Sequence, residues 1–107
     1  MTWSRLHGYL EAEVEHLPDE VVVRVAGELD LASSPELAAL LIEDCSDAKQ
    51  VVLDLRLIGF IDAAAVGVLM SVREILQWFG SRLTVSDASR QVRRVLSICD
   101  LLDVLTA

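Results

Sequence analysis

The sequence predicts one small α/β domain spanning residues 1–107, built on a mixed, mostly parallel sheet of four to five strands with helices mainly on one face. Three observations carry this. Strand-like stretches at 21–25, 51–55 and 82–86 are each followed by a stretch with helical spacing, the alternation that calls for parallel strands joined by crossover helices. Leu10, Ala12 and Val14 alternate with Glu11, Glu13 and Glu15, the period of two expected from a strand with one wet face. With 53% hydrophobic residues, a 107-residue chain has enough apolar surface for a single core.

The alternating strand is placed at the sheet edge, and its row of glutamates leaves the opposite face for the helices. Pro18 and Asp19 supply the turn that makes the first two strands antiparallel neighbours. Gly27-Glu28-Leu29-Asp30 leaves the second strand. Ser34 as N-cap, Pro35 at the first helical position and Glu36 in the first turn then predict a helix to about Cys45, with Leu37, Leu40 and Leu41 on its inner stripe. Residues 51–55, apolar except Asp54, read as a central strand. A short turn leads to Asp62, the N-cap of a helix over 63–79 that closes at Gly80. Apolar residues cover most of its circumference, so it is expected to be the most buried helix, and Gly67 is read as a close-packing position against a strand. Residues 82–86 form the fourth strand, with Leu83 and Val85 inward. Ser89 caps a shorter helix carrying Val92, Val95, Leu96 and Cys99, and 101–105 is a last apolar segment, either a helical turn or a short edge strand. Trp3, Tyr9, Trp78 and Phe79 are read first as packing residues and second as interface anchors.

A formal net charge of −8 excludes nucleic-acid backbones and anionic membrane surfaces as general partners, and the one basic cluster, at 90–94, is too small to reverse it. The first 17 residues carry no apolar signal segment, and the run from 57 to 72, broken by Asp62, is too short to span a bilayer. A cytoplasmic domain is expected. Cys45 and Cys99 have no metal-binding or thioredoxin-type spacing; they read as small apolar side chains, with a regulatory redox pair as the alternative.

No nucleophile, base and metal cluster can be assembled, so the chain is not expected to be an enzyme. His7 and His16 read as surface residues. Asp30, Asp54 and Asp62 each fall near the carboxyl end of a predicted strand, where open α/β sheets place their sites, but turn formation, strand-end acceptance and helix capping explain them singly. A carboxylate–metal hydrolase ranks last, and neither metal nor cofactor is expected. Gly59 and Gly67 lack the spacing and the Lys-Ser/Thr of a phosphate loop. What remains is the junction into the helix at Asp62, whose first turn, Ala63-Ala64-Ala65, presents backbone N–H groups and methyl groups with no hydroxyl, thiol or imidazole.

Gly27-Glu28-Leu29-Asp30, Val52-Leu53-Asp54-Leu55, Phe60-Ile61-Asp62, Leu83-Thr84-Val85, Val92-Arg93-Arg94-Val95-Leu96 and Leu101-Leu102-Asp103-Val104-Leu105 together make the chain resemble the STAS domains of bacterial anti-sigma factor antagonists. The resemblance implies a non-catalytic regulator of transcription that binds an anti-sigma factor, a relative of GHKL-type kinases, and so frees a sigma factor. It also implies a Ser or Thr after the Asp as the kinase's phosphoacceptor. The family's Asp-Ser-Ser-Gly-Leu-Gly falls on Asp62-Ala63-Ala64-Ala65-Val66-Gly67, so the acceptor position is Ala64, which cannot be phosphorylated. The partner-binding surface is expected at Asp30, Ser33, Ser34, Asp62, Ala63, Ala64, Ala65 and Val66. Ser33 and Ser34 are fallback acceptors. Alternatives of another class are a STAS subunit of a stressosome-like scaffold or of a lipid-transporting ABC complex, or an antagonist switched by the redox state of Cys45 and Cys99. A homodimer is left open.

Overall fold

The computed structural model describes residues 3–98. Five strands, β1 (Ser4–His7), β2 (Leu10–His16), β3 (Glu20–Leu29), β4 (Gln50–Ile61) and β5 (Arg82–Ser86), form one sheet in sequence order. The helices are α1 (Ser34–Cys45), α2 (Ala63–Trp78) and α3 (Arg90–Ile98). The first two pairings are antiparallel and the last two parallel, so the sheet is evenly mixed where a mostly parallel one was expected. The difference comes from β1. Its sequence, Ser-Arg-Leu-His, is too short and polar to signal a strand, yet it pairs with β2 and moves β2 from the edge to the interior.

The register explains why only half of β4 was legible. Val51, Leu53 and Leu55 point into the core with period two, but a shift between Arg24 and Ala26 on β3 hands the inward role to Ile58 and Ile61. A sequence rule that seeks strict alternation ends the strand at 55; the bulged strand runs on through Gly59 to Ile61. Residue 27 lies at a second shift, with φ +118, where a Cβ would overlap the backbone carbonyl oxygen of Tyr9. Only glycine fits there. It does not end β3, which continues to Leu29.

All three helices feed one core, through Leu37, Leu41 and Cys45 of α1, Ala65, Leu69, Val72 and Leu76 of α2, and Val92 and Leu96 of α3, against Val21, Val23, Val25, Leu53 and Val85 of the sheet. The opposite face carries charge. Arg24 lies 3.0 Å from Glu15 and 3.6 Å from Glu13, and Arg56 lies 3.0 Å from Asp54. The arrangement of helices mainly on one face therefore holds.

Four local expectations change. Ser33, not Ser34, occupies the cap of α1, and Pro35 still takes the first turn. Helix α2 does bury more residues than α1 or α3, but only as one stripe, Ala65, Val66, Leu69, Val72 and Leu76, so much of its apolar circumference is left outside the core. Gly67 is exposed, and a Cβ on it would meet open space, so close packing is not its role. Tyr9, Trp78 and Phe79 are 90%, 89% and 63% exposed, which removes the packing reading for all three. The C-terminal apolar segment at 101–105 and Cys99 lie outside the described residues.

Candidate functional site

The loop after β3 and the first turn of α2 meet at the carboxyl ends of the parallel strands, joined by Asp62. Its backbone N–H donates to the Leu29 carbonyl at 3.1 Å, one carboxylate oxygen accepts from the Ala65 N–H at 2.8 Å, and the other accepts from the Leu31 N–H at 3.2 Å. One side chain thus caps the helix and ties it to the neighbouring loop, satisfying two donors that would otherwise lack partners. The cap is the role the sequence suggested; the link to Leu31 is not visible without the fold.

The loop is shaped by Asp30 and Ser33. Asp30 accepts from the N–H groups of Ala32 at 3.0 Å and Ser33 at 2.9 Å, forming an Asx-type turn. The Ser33 hydroxyl accepts from the Asp30 N–H and donates to the Glu28 carbonyl. The Ser33 bonds, followed by the Ala32 N–H and the charge of His7, hold the Asp30 carboxyl below its usual range against a smaller opposing effect of burial. Ser33 and Ser34 are 4% and 1% exposed, so neither offers its hydroxyl to a partner or a kinase. Ala65 and Val66 are likewise core residues. Half of the expected surface is therefore support: Ser33, Ser34, Ala65 and Val66 hold the frame.

What faces outward is Ala63 and Ala64, with Gly67 one turn below and Leu31 and Ala32 across the loop. Leu31 is 70% exposed. The sequence points to the loop that carries Leu31 without singling that residue out, and it gives Gly67 a packing role instead. The signal available was weak, one leucine between Asp30 and Ala32 and one glycine inside a helical pattern. The resulting surface is uncharged at its centre and backed by the positive end of a capped 16-residue helix.

The other candidates are occupied elsewhere. Asp54 faces a hollow of about 240 Å³ lined by Arg24, Val25, Arg56 and Leu57, but its oxygens accept from the Arg56 backbone and guanidinium, a pairing that raises the Arg56 pKa. Among the described residues, no three His, Cys, Asp or Glu side chains converge to hold a metal ion, so Asp30, Asp54 and Asp62 do not form the cluster a metal hydrolase would need. Cys45 is fully buried, and desolvation, with the charge of Asp44 adding to it, pushes its thiol up to about 11. At neutral pH it is held as the unreactive thiol. No described helix is long and apolar enough to cross a membrane.

The STAS domain family model matches residues 11–107. The chain belongs to the STAS domain family. Among curated relatives it is similar to the anti-sigma F factor antagonist of Paenibacillus polymyxa, 26% identical over 90% of this chain and 84% of that one. A second is the anti-sigma-B factor antagonist of Bacillus subtilis, 22% identical over 90% and 88%. Among solved structures, the STAS domain shares its fold with the antagonist SpoIIAA in its unphosphorylated form, at a TM-score of 0.75 and 20% identity over 90% of this chain and 85% of that one. It also matches an anti-sigma factor antagonist from Mycobacterium paratuberculosis, at 0.73 and 21% over 90% and 82%.

Proposed function

We propose that this STAS domain is an anti-sigma factor antagonist acting in the cytoplasm, which binds an anti-sigma factor of the GHKL-kinase type and so frees a sigma factor. Its contact is the surface of Ala63, Ala64, Leu31 and Ala32, with Asp30 and Asp62 setting its shape. The observation that carries the reading is the exposure of Ala63 and Ala64 at the head of a helix whose cap also fixes the adjoining loop. The role of the curated relatives supports this reading, and so does the exposure of the turn.

Docking here is permanently enabled. In a family member with a hydroxyl at the position of Ala64, phosphate would add about −1.5 to −2 charges to an apolar contact and repel the partner. A methyl group accepts no phosphate. Ser33 and Ser34 cannot substitute as acceptors in the folded domain, because both are buried. Burial of Cys45 likewise leaves the redox alternative without a reactive thiol on its side.

Affinity capture of tagged protein from the native cell, followed by mass spectrometry, tests the reading. Recovery of a GHKL-type ATPase, lost on Ala64→Glu, is the expected result. Recovery of an ABC ATPase or a multi-subunit STAS scaffold in its place would overturn it.

A further inference from the structure

We infer that the N-terminal face of α3, made by Arg90, Arg93 and Arg94, is a second docking surface, and that its occupant is an acidic polypeptide segment of a protein partner. Three of the chain's nine basic side chains lie in this one short helix, together with none of its 17 acidic ones. All three arginines are exposed, and none makes an ion pair with a described residue. Elsewhere Arg24, Lys49 and Arg56 each lie within 4 Å of a carboxylate, and the cations without such a partner among the described residues, Arg5 and Arg73, stand apart from one another in sequence and are not clustered.

The arrangement works against the free domain. Arg90 stands three and four positions from Arg93 and Arg94, the spacings at which like charges on a helix repel. Arg90 also sits in the first turn, where the macrodipole is already positive, and that turn has no acidic residue to offset it. The helix is held instead by Val92 and Leu96 in the core and by Ser89, whose hydroxyl donates to the Ile58 carbonyl at 2.9 Å and accepts from the Val92 N–H at 3.4 Å. A local rule broken at the surface, with the core compensating, is the mark of a functional face. Carboxylates arriving from outside would relieve both the mutual repulsion and the dipole. The net charge of −8 repels long polyanions as a whole, so a short acidic stretch that meets only this face fits better than a nucleic acid or an anionic bilayer.

The test is a titration of isotope-labelled protein with a short poly-L-glutamate peptide, read by amide chemical shifts, with parallel arms using duplex DNA and phosphatidylserine vesicles. The expected result is shifts confined to residues 89–98, reversed by salt. Affinity should fall at least about tenfold in the triple variant Arg90→Gln, Arg93→Gln, Arg94→Gln and stay unchanged in Arg5→Gln. The thermal midpoint of the triple variant should equal or exceed that of the parent, because the arginines strain the free helix. Absence of shifts, equal binding by the triple variant, preference for DNA or vesicles, or a lowered midpoint would each overturn the inference. Ala64→Glu should leave peptide binding intact, so the fate of this surface is read separately from that of the Ala63-Ala64 contact.

Discussion

Helices α2 and α3 begin in opposite ways. At the head of α2, Asp62 places a carboxylate where the helix dipole and two N–H groups welcome it, and the surface beyond is methyl and backbone. At the head of α3, Arg90 occupies the same kind of end with nothing acidic in the first turn, and Arg93 and Arg94 follow it on the next turn. The first is stable in itself and offers shape; the second is strained in itself and offers charge. The two proposed contacts are therefore separable on one small domain: an apolar one whose affinity would rest on close approach, and an ionic one whose cost would be carried by the unbound state.

The largest effect expected is on the apolar contact. Ala64→Glu adds bulk and charge at the centre of the α2 surface and should weaken binding of the anti-sigma factor by at least tenfold, about 1.4 kcal/mol by titration calorimetry. The fold should not suffer, since an acid in a first helical turn is favourable. Unchanged affinity would place the contact elsewhere. Next is Asp62→Ala, which removes the cap and the link to Leu31 together and should cost about 1–2 kcal/mol in urea denaturation, with faster hydrogen exchange at the Leu31 and Ala65 amides. Gly67→Ala should stabilise the domain by about 1 kcal/mol, because the added methyl meets open space. Weaker partner binding by that same variant would show that the partner approaches as low as residue 67. At α3, Arg90→Ser alone should raise stability by about 0.3–1 kcal/mol at low ionic strength and by less in high salt.

The smallest effects are in pH. Asp30 titrates below the ordinary value of 3.8 because its charged form is bonded in the loop. Its contribution is therefore present above that value and is lost as pH falls through the lowered one; the Ala32 and Ser33 amides should keep their folded shifts at pH 3.8 and lose them further down. The Cys45 thiol works in the other direction. With its pKa raised from 9.0 to about 11, the stability it lends is intact below pH 9 and is lost as pH rises between those two values. Alkylation of Cys45 at pH 8 should follow global unfolding.

Much of this was readable from the chain. Alternation at 10–15, the valine run at 21–25 and the cap at Asp62 reflect local preferences that the fold obeys, so β2, β5, the three helices and the α2 junction emerged close to their final bounds. What failed did so for stated reasons. Strand β1 has no periodic pattern and exists only through pairing with β2, and the far half of β4 is hidden by a register shift. Ser33 and Ser34 looked like surface hydroxyls because a loop after a strand is usually wet, yet the Asx-type turn folds them inward. Leu31 could not be singled out until Asp62 was seen to bind its amide. Exposure of Trp78 and Phe79 is equally a property of the assembled surface: their helical spacing suits a core or a rim.

Intact-mass analysis of the domain after incubation with ATP and the GHKL-type kinase proposed as its partner, set beside the Ala64→Ser variant, tests the central claim most directly. No phosphate on the parent and one on Ser at position 64 is the predicted result, with the parent still bound to the kinase. A phosphate on the parent, or none on a variant that still binds, would contradict it.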